Sequence, residues 1–271
     1  MNHKTITFLV VGQGHIGKRH AEMVRRNAEA ELLAVCDIRS KQETQCTSIT
    51  EPYYDSYAAM LAAFPEADVV NICVPNGLHA QMAVQALNAG HHVVIEKPVA
   101  LHCADIELIE EAAQRNGRSV FCVMQNRYSP PSIWLKQVID NHLLGHIFMV
   151  QLNCFWNRDA RYYLPHGWHG TADMDGGTLY TQFSHFVDIM YWLLGDISNI
   201  KARFADFNHA HLTDFEDSGI VTFDIADGGM GTLNYSTAVY DTNLESSITI
   251  IGEKGTVRVA GQYMDQVTYC N

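Results

Sequence analysis

Three glycines spaced as Gly12-Gln13-Gly14-His15-Ile16-Gly17 follow directly on the apolar run Thr5–Val11, and Asp37 lies 20 residues beyond the last of them. This is the spacing that holds a dinucleotide. Gly12 permits a tight turn, Gly14 lets the backbone approach a pyrophosphate, and Gly17 lets a helix pack closely on a strand. His15, Ile16 and Gly17 open that helix, whose first amides and positive dipole end face phosphate oxygens. Asp37 ends a second apolar run, Leu32–Asp37, and its carboxylate can accept both hydroxyls of an adenosine ribose. A 2′-phosphate there meets like charge, so the sequence favours NAD over NADP. Arg39, two residues on, is the residue type that receives such a phosphate.

Two further segments sit where apolar strands end: Val74-Pro75-Asn76-Gly77-Leu78-His79 and Glu96-Lys97-Pro98. Open α/β sheets place ligands at the carboxyl ends of their strands, which makes Pro75, Asn76, His79, Glu96 and Lys97 candidates for cofactor contact. By itself a lysine after an apolar strand reads equally well as a solvated strand end. Beside a dinucleotide, its ammonium can instead hydrogen-bond a reacting oxygen and stabilise developing alkoxide charge. Pro98 is a candidate for a cis proline that fixes the turn.

His185 also has two readings, as a core histidine of the apolar segment Phe186–Leu193 or as a general base. A near-neutral imidazole suits the proton removal that accompanies hydride loss from a secondary alcohol. Lys97 and His185 are therefore the candidate catalytic pair, with alkoxide stabilisation and proton removal shared or exchanged between them. Asp188 can share a helix face with His185, and Gly176-Gly177 lets the chain approach a ligand closely. Arg158 and Arg161 are candidate clamps for a carboxylate or diphosphate. Tyr162, Tyr163 and Trp168 can stack on a uracil or a sugar face, or pack a subunit interface.

The elements that must position these residues change character along the chain. Strands at Thr5–Val11, Leu32–Asp37, Val69–Val74, His92–Lys97 and Ser119–Asn126 alternate with helices at His15–Asn27, Asn76–Ala89 and Cys103–Asn116. Asn76 caps its helix in this reading and Gly90 ends it. The pattern predicts a doubly wound parallel sheet over residues 1–127. After a helix near Pro131–Asn141, strands dominate residues 128–271, at 146–157, 200–207, 219–225, 231–236, 246–251 and 256–260. Glycine turns at Asp227-Gly228-Gly229 and Gly252–Gly255 join them, which predicts an antiparallel sheet with one helix at about Thr181–Leu194. The Ser-Pro-Pro step after Arg127 marks the boundary between the two domains.

Composition narrows the function classes. The chain has 271 residues, 47% apolar and 18% charged, which is ordinary globular usage. No apolar run approaches the ~18–20 residues that span a bilayer. A formal net charge of −12 argues against nucleic acid, whose phosphates need clustered lysine and arginine. Seven cysteines without CxxC spacing, most of them in apolar runs, read as buried reduced thiols in a cytoplasmic protein. The fourteen histidines are scattered, so no metal site is expected, and His91–His92 and the histidines at 209 and 211 read as surface or strand-edge residues.

Taken together, GQGHIG, CVPNGLH, EKP and the later DGGTLYTQFSHFVDIMYWLLGD resemble the Gfo/Idh/MocA oxidoreductase family in order and spacing along almost the whole chain. The resemblance implies a Rossmann domain followed by an α+β domain with a large open antiparallel sheet, bound NAD, and Lys97 and His185 as catalytic partners. It also implies a homodimer or homotetramer formed through that sheet. Where many relatives carry an acidic residue or Asn four positions before the histidine, this chain has Thr181, with Gln182 beside it, and both become candidate substrate contacts. The stretch from Trp156 to Tyr163, with Trp168-His169-Gly170-Thr171, is similar to a branch that oxidises the 3-hydroxyl of UDP-N-acetylglucosaminuronic acid for surface polysaccharides. His169 stands where that branch has arginine, and Thr178 where a glycine is usual. Relatives commonly continue for tens of residues past the point corresponding to Asn271, which implies a shortened C-terminal side. The implied activity is NAD-dependent oxidation of a secondary alcohol on a sugar. Another sugar or inositol dehydrogenase, an NAD-dependent glycosidase and a non-catalytic NAD-binding regulator stay open as alternatives.

Overall fold

The computed structural model describes residues 4–165, 167–226 and 228–271, so Asp227 of the expected glycine turn lies outside the described residues. The chain divides into two compact units, 1–123 and 124–271.

The first unit is built on six parallel strands. In chain order its elements are β1 (Ile6–Val11), α1 (His15–Arg26), β2 (Ala30–Cys36), β3 (Tyr53–Tyr54) and α2 (Tyr57–Ala63). They continue with β4 (Val69–Ile72), α3 (His79–Asn88), β5 (His92–Ile95), α4 (Cys103–Asn116) and β6 (Val120–Cys122). The strand order is β3-β2-β1-β4-β5-β6. Helices on both faces explain why β4 is apolar and buried at nearly every position, since neither side of the sheet meets water. The order reverses between β1 and β4, which pair in parallel with Val11 opposite Ile72. Ligands of such sheets bind at that reversal, beyond the strand carboxyl ends.

Register then lines up the candidate residues. Val11 lies opposite Cys36 and Ile72, and Ile72 opposite Ile95. One residue on, Gly12, Asp37, Cys73 and Glu96 therefore form a row just past the sheet. Backbone bonds extend the ladder into that row, from Gly12 N to Cys36 O (2.8 Å), Cys73 N to Val11 O (2.9 Å) and Glu96 N to Ile72 O (3.1 Å).

Two local expectations change. Asn76 does not cap the helix. It begins a 3-10 turn, Asn76–Leu78, closed by Leu78 N on Pro75 O at 3.0 Å, and α3 starts only at His79. The extra turn swings His79 into the interior. The last strand is also shorter than expected, because Gln125–Tyr128 forms a second 3-10 turn.

The second unit comprises α5 (Pro130–Asp140), β7 (Ile147–Phe155), α6 (Ala160–Tyr163), α7 (Thr178–Thr181), α8 (Ser184–Leu194) and β8 (Ile197–Ala205). The chain then runs through β9 (Ser218–Ile225), β10 (Met230–Ser236), β11 (Glu245–Gly252), β12 (Gly255–Ala260) and β13 (Gln266–Cys270). Its seven strands are ordered β13-β12-β11-β7-β10-β9-β8. All neighbours pair antiparallel except β7 and β10, which run parallel, so the sheet is mixed. Strict alternation along β9 and β10 buries one face and leaves the other open. The buried face, with Leu152, Phe223, Leu233, Ile248 and Ile250, packs on Phe186, Ile189 and Leu193 of α8 and Leu135 of α5. Each such fully buried side chain stabilises the fold by roughly 1.5–3 kcal/mol.

The helix expected at about Thr181–Leu194 is present as α8, which starts at Ser184, and the short α7 precedes it. Phe183 leaves helical geometry at φ −114° and ψ 9° and packs its ring on Trp156, centroids 5.0 Å apart. Burying that aromatic outweighs the few backbone bonds of a continuous helix. His91 and His209 are buried, not surface residues. The seven cysteines form no disulfide; Cys103 and Cys270 are exposed and the others partly or fully buried. Among the described residues, no helix is long and apolar enough to cross a membrane.

Candidate active site

The first unit carries a cradle for a dinucleotide. Gly12 adopts φ +85°, and a Cβ there would stand 2.1 Å from the Cys73 carbonyl oxygen. A Cβ on Gly17 would stand 1.7 Å from Gly12 O, so both glycines answer to internal packing. Gly14 differs: nothing lies within 4 Å of its would-be Cβ, and it stands at the N-cap of α1 without a side-chain cap. The open space therefore faces the unpaired first amides of the helix, which are donors for a phosphate. His15 and Ile16 are exposed on that first turn.

Asp37 is 6% exposed and held by its own neighbours. Its Oδ2 accepts the Gln13 amide at 2.7 Å and Arg39 Nη2 at 2.9 Å. Its Oδ1 accepts Arg39 N at 2.9 Å and Arg39 Nε at 3.0 Å. Burial pushes this carboxyl up, but the bonds from Arg39 and Gln13 outweigh it and hold it below its ordinary value. A charged acceptor at the end of β2, an open Gly14 and a helix N-terminus fit the ribose and pyrophosphate of NAD.

Further along the row, the Lys97–Pro98 peptide is cis. Pro75 and Lys97 are partly buried and Asn76 is buried. Glu96 accepts the Lys97 amide on Oε2 (3.3 Å), and its Oε1 lies 2.9 Å from His20 Nε2. Burial raises the Glu96 carboxyl, while His20 and Lys97 together bring it below its usual value. His79 is 0% exposed, with Nδ1 2.7 Å from Pro98 O and Nε2 2.9 Å from Val74 O. It holds backbone between two loops and presents no surface to a ligand, which corrects its expected place among the cofactor contacts.

The second unit gathers most of the expected substrate residues. Arg158 follows β7 and lies between two aromatic rings, 4.8 Å from the Trp156 centroid and 5.1 Å from that of Tyr162. Its Nε donates to Gln182 Oε1 (2.7 Å) and its Nη1 to Asn157 O (2.6 Å). Gln182 in turn donates to the Tyr162 hydroxyl at 2.7 Å. Among the described residues no carboxylate pairs with Arg158, and burial lowers its pKa. Tyr162, whose hydroxyl burial pushes up to about 12, continues the row. Its ring lies 4.4 Å from His169, which stacks on Trp168 at 3.7 Å.

Three other expected contacts have partners of their own. Tyr163 is 3% exposed and packs on Tyr162 and His209, below the row. Thr181 gives its hydroxyl to Asp175 O at 2.9 Å. Arg161 is exposed and engaged by Asp159 and Asp241. Asp188 does not stand ready for His185, because both its oxygens accept from Arg127 at 2.5 and 2.8 Å. His185 itself is buried in the first turn of α8.

Sequence reasoning missed Gln13, His20, Asn71, Trp156 and Asn157. Asn71 carried a signal: a polar residue inside the buried run Val69–Val74 must find a partner, and its Nδ2 lies 3.1 Å from His20 Nδ1.

Comparison with known proteins agrees with both halves. Residues 6–124 match the model of an oxidoreductase family with an NAD-binding Rossmann fold, and residues 133–258 match the GFO/IDH/MocA C-terminal domain. The structure is similar to the WlbA dehydrogenase from Chromobacterium violaceum in complex with NADH and UDP-GlcNAcA, with a TM-score of 0.92 and 35% identity over 100% of this chain and 78% of that one. It is equally similar to the WlbA dehydrogenase from Bordetella pertussis in complex with the same two ligands (TM-score 0.93, 34% identity, 100% and 78% covered). In sequence it is 28% identical to the inositol 2-dehydrogenase of Salmonella typhimurium over 91% of this chain and 71% of that relative.

Proposed function

The chain belongs to the Gfo/Idh/MocA family of NAD-dependent sugar- and inositol-type dehydrogenases, and from that premise we propose that it oxidises the 3-hydroxyl of a UDP-linked N-acetylated hexuronic acid. The observation that carries this choice is Arg158. A partly buried guanidinium with no carboxylate partner among the described residues is costly unless an anion completes it. An inositol offers no anion; a nucleotide-linked uronate offers a carboxylate and a diphosphate. Tyr162 and Trp168, in one row with Arg158, supply ring faces for a uracil or a sugar. The likeness to two dehydrogenases solved with UDP-GlcNAcA supports the same class.

In the proposed chemistry, NAD supplies the hydride acceptor. His185 takes the proton of the substrate hydroxyl on an imidazole nitrogen as the hydride leaves the same carbon. The Lys97 ammonium donates a hydrogen bond to that oxygen while its negative charge is greatest, and so lowers the barrier. Glu96, below its ordinary pKa, stays ionised beside Lys97 and favours the charged amine. Gln182 holds Arg158 in the orientation in which it meets the anion. Homo-oligomerisation through the open face of the seven-stranded sheet belongs to this proposal, supported by exposed Ile200, Phe204, Ile220 and Met230. So does a cytoplasmic role in supplying sugars for polysaccharides.

A thermal-shift panel tests the substrate class, because a ligand that binds only the folded state raises the unfolding midpoint. With NAD present, UDP-GlcNAcA raises the midpoint of the wild type and not that of Arg158→Met. A shift with myo-inositol and none with UDP-GlcNAcA rejects the proposal.

A further inference from the structure

The catalytic loop Glu96-Lys97-Pro98 is gripped on both sides of the lysine by imidazoles from two different helices. On the preceding side, His20 of α1 meets Glu96 Oε1 at 2.9 Å. The Asn71 amide nitrogen, which can only donate, lies 3.1 Å from His20 Nδ1. With Asn71 so oriented, Nδ1 is the acceptor and the ring proton sits on Nε2, aimed at Glu96. The second oxygen of Glu96 takes the Lys97 amide, so one carboxylate ties α1 to the lysine's own backbone. His20 and Glu96 are 15% and 14% exposed, which shields the pair from water.

On the following side, Pro98 has no amide to donate, and its carbonyl is held by His79 Nδ1 at 2.7 Å. The other nitrogen of His79 reaches Val74 O at 2.9 Å. A single buried ring, at the start of α3, thus lies between the chain leaving β4 and the chain leaving β5, and as a neutral imidazole its one N–H bonds one of the two carbonyls at a time. Strand pairing supports neither point: the last rung to this loop is Glu96 N on Ile72 O.

We propose that His20 and His79 are positioning residues for Lys97, fixing the backbone before and after it so that its ammonium is presented in one place. This rests on the assignment of Lys97 as a catalytic residue. Catalytic groups need support of this kind, because a displacement of about 1 Å costs on the order of a hundredfold in rate. Plugs that merely fill space would lower stability and leave turnover of the remaining folded protein unchanged.

The test uses the full chain with NAD and UDP-GlcNAcA, comparing His20→Ala, His79→Gln, Glu96→Gln and Lys97→Met. His20→Ala is expected to lower kcat about tenfold or more while the KM for NAD stays within about twofold. Amide exchange of the peptide spanning 95–100, read by mass spectrometry, becomes faster in both histidine variants. Glu96→Gln, which keeps one acceptor oxygen for His20 and loses the one that takes the Lys97 amide, retains more turnover than His20→Ala. In a Lys97→Met background His20→Ala adds no further loss, because residues acting through one group are not additive. An unchanged kcat in folded His20→Ala, or an equal loss with and without Lys97, overturns the inference. If His79→Gln does not fold, the half-buried His20 arm decides alone. Lys97→Met with wild-type turnover instead refutes the catalytic assignment itself, a separate result.

Discussion

Arg39 folds back onto Asp37, its Nε 3.0 Å from Oδ1 and its Nη2 2.9 Å from Oδ2. The arginine, a residue type that receives a 2′-phosphate, is thereby committed to the carboxylate that repels one. Asp37→Ala frees the guanidinium and removes the repulsion together. The ratio of NADPH to NADH affinity should rise at least about tenfold, equivalent to ~1.4 kcal/mol, by fluorescence titration. An unchanged ratio shows that another group reads the ribose.

The three glycines predict opposite outcomes for one substitution. Gly17→Ala drives a methyl group into Gly12 O and should cost about 1–3 kcal/mol of stability or more. Gly14→Ala meets no protein atom, so the ligand-free unfolding midpoint stays put while the stabilisation by NAD shrinks. Equal NAD-induced shifts in Gly14→Ala and wild type would place the pyrophosphate elsewhere.

Gln182 bridges the Arg158 guanidinium and the Tyr162 hydroxyl. Gln182→Leu leaves the partly buried Arg158 Nε without its acceptor, a loss of about 1–3 kcal/mol. Chemical denaturation should show that loss, and the KM for UDP-GlcNAcA should rise. A variant as stable as the wild type, with unchanged KM, contradicts the bridge.

How much of this was legible in the sequence follows from range. The strand β1, the glycine turn and Asp37 are near neighbours, so spacing alone predicted their geometry. The two-residue strand β3 was invisible, because Tyr53–Tyr54 is too short for any period and exists only by pairing with Val35 and Cys36. The parallel pairing of β7 with β10 was equally hidden: alternation marks which face is buried, not which strand lies alongside. Arg158 was readable as a residue type for anions, whereas the absence of a carboxylate partner among the described residues is a property of the folded unit. His20 escaped notice because Glu96 is 76 residues away and only the order of sheet strands brings them together.

His79 gives a pH signature. Burial, stronger than the pull of its two carbonyls, holds its pKa below the ordinary 6.5. The unfolded chain therefore binds a proton in acid before the folded protein does. Stability from the neutral ring is complete above about pH 6.5 and is lost as pH falls toward the folded-state value. The difference in unfolding free energy between wild type and His79→Gln should be larger at about pH 8 than at about pH 5.5. A difference that is flat, or greater in acid, shows that the folded ring is not held neutral.

The most direct test follows NADH absorbance while the protein turns over NAD and UDP-GlcNAcA. The predicted result is steady NADH accumulation by the wild type, cut by at least about a hundredfold in both Lys97→Met and His185→Asn. Accumulation that survives both substitutions, or that appears with myo-inositol and not with UDP-GlcNAcA, would contradict it.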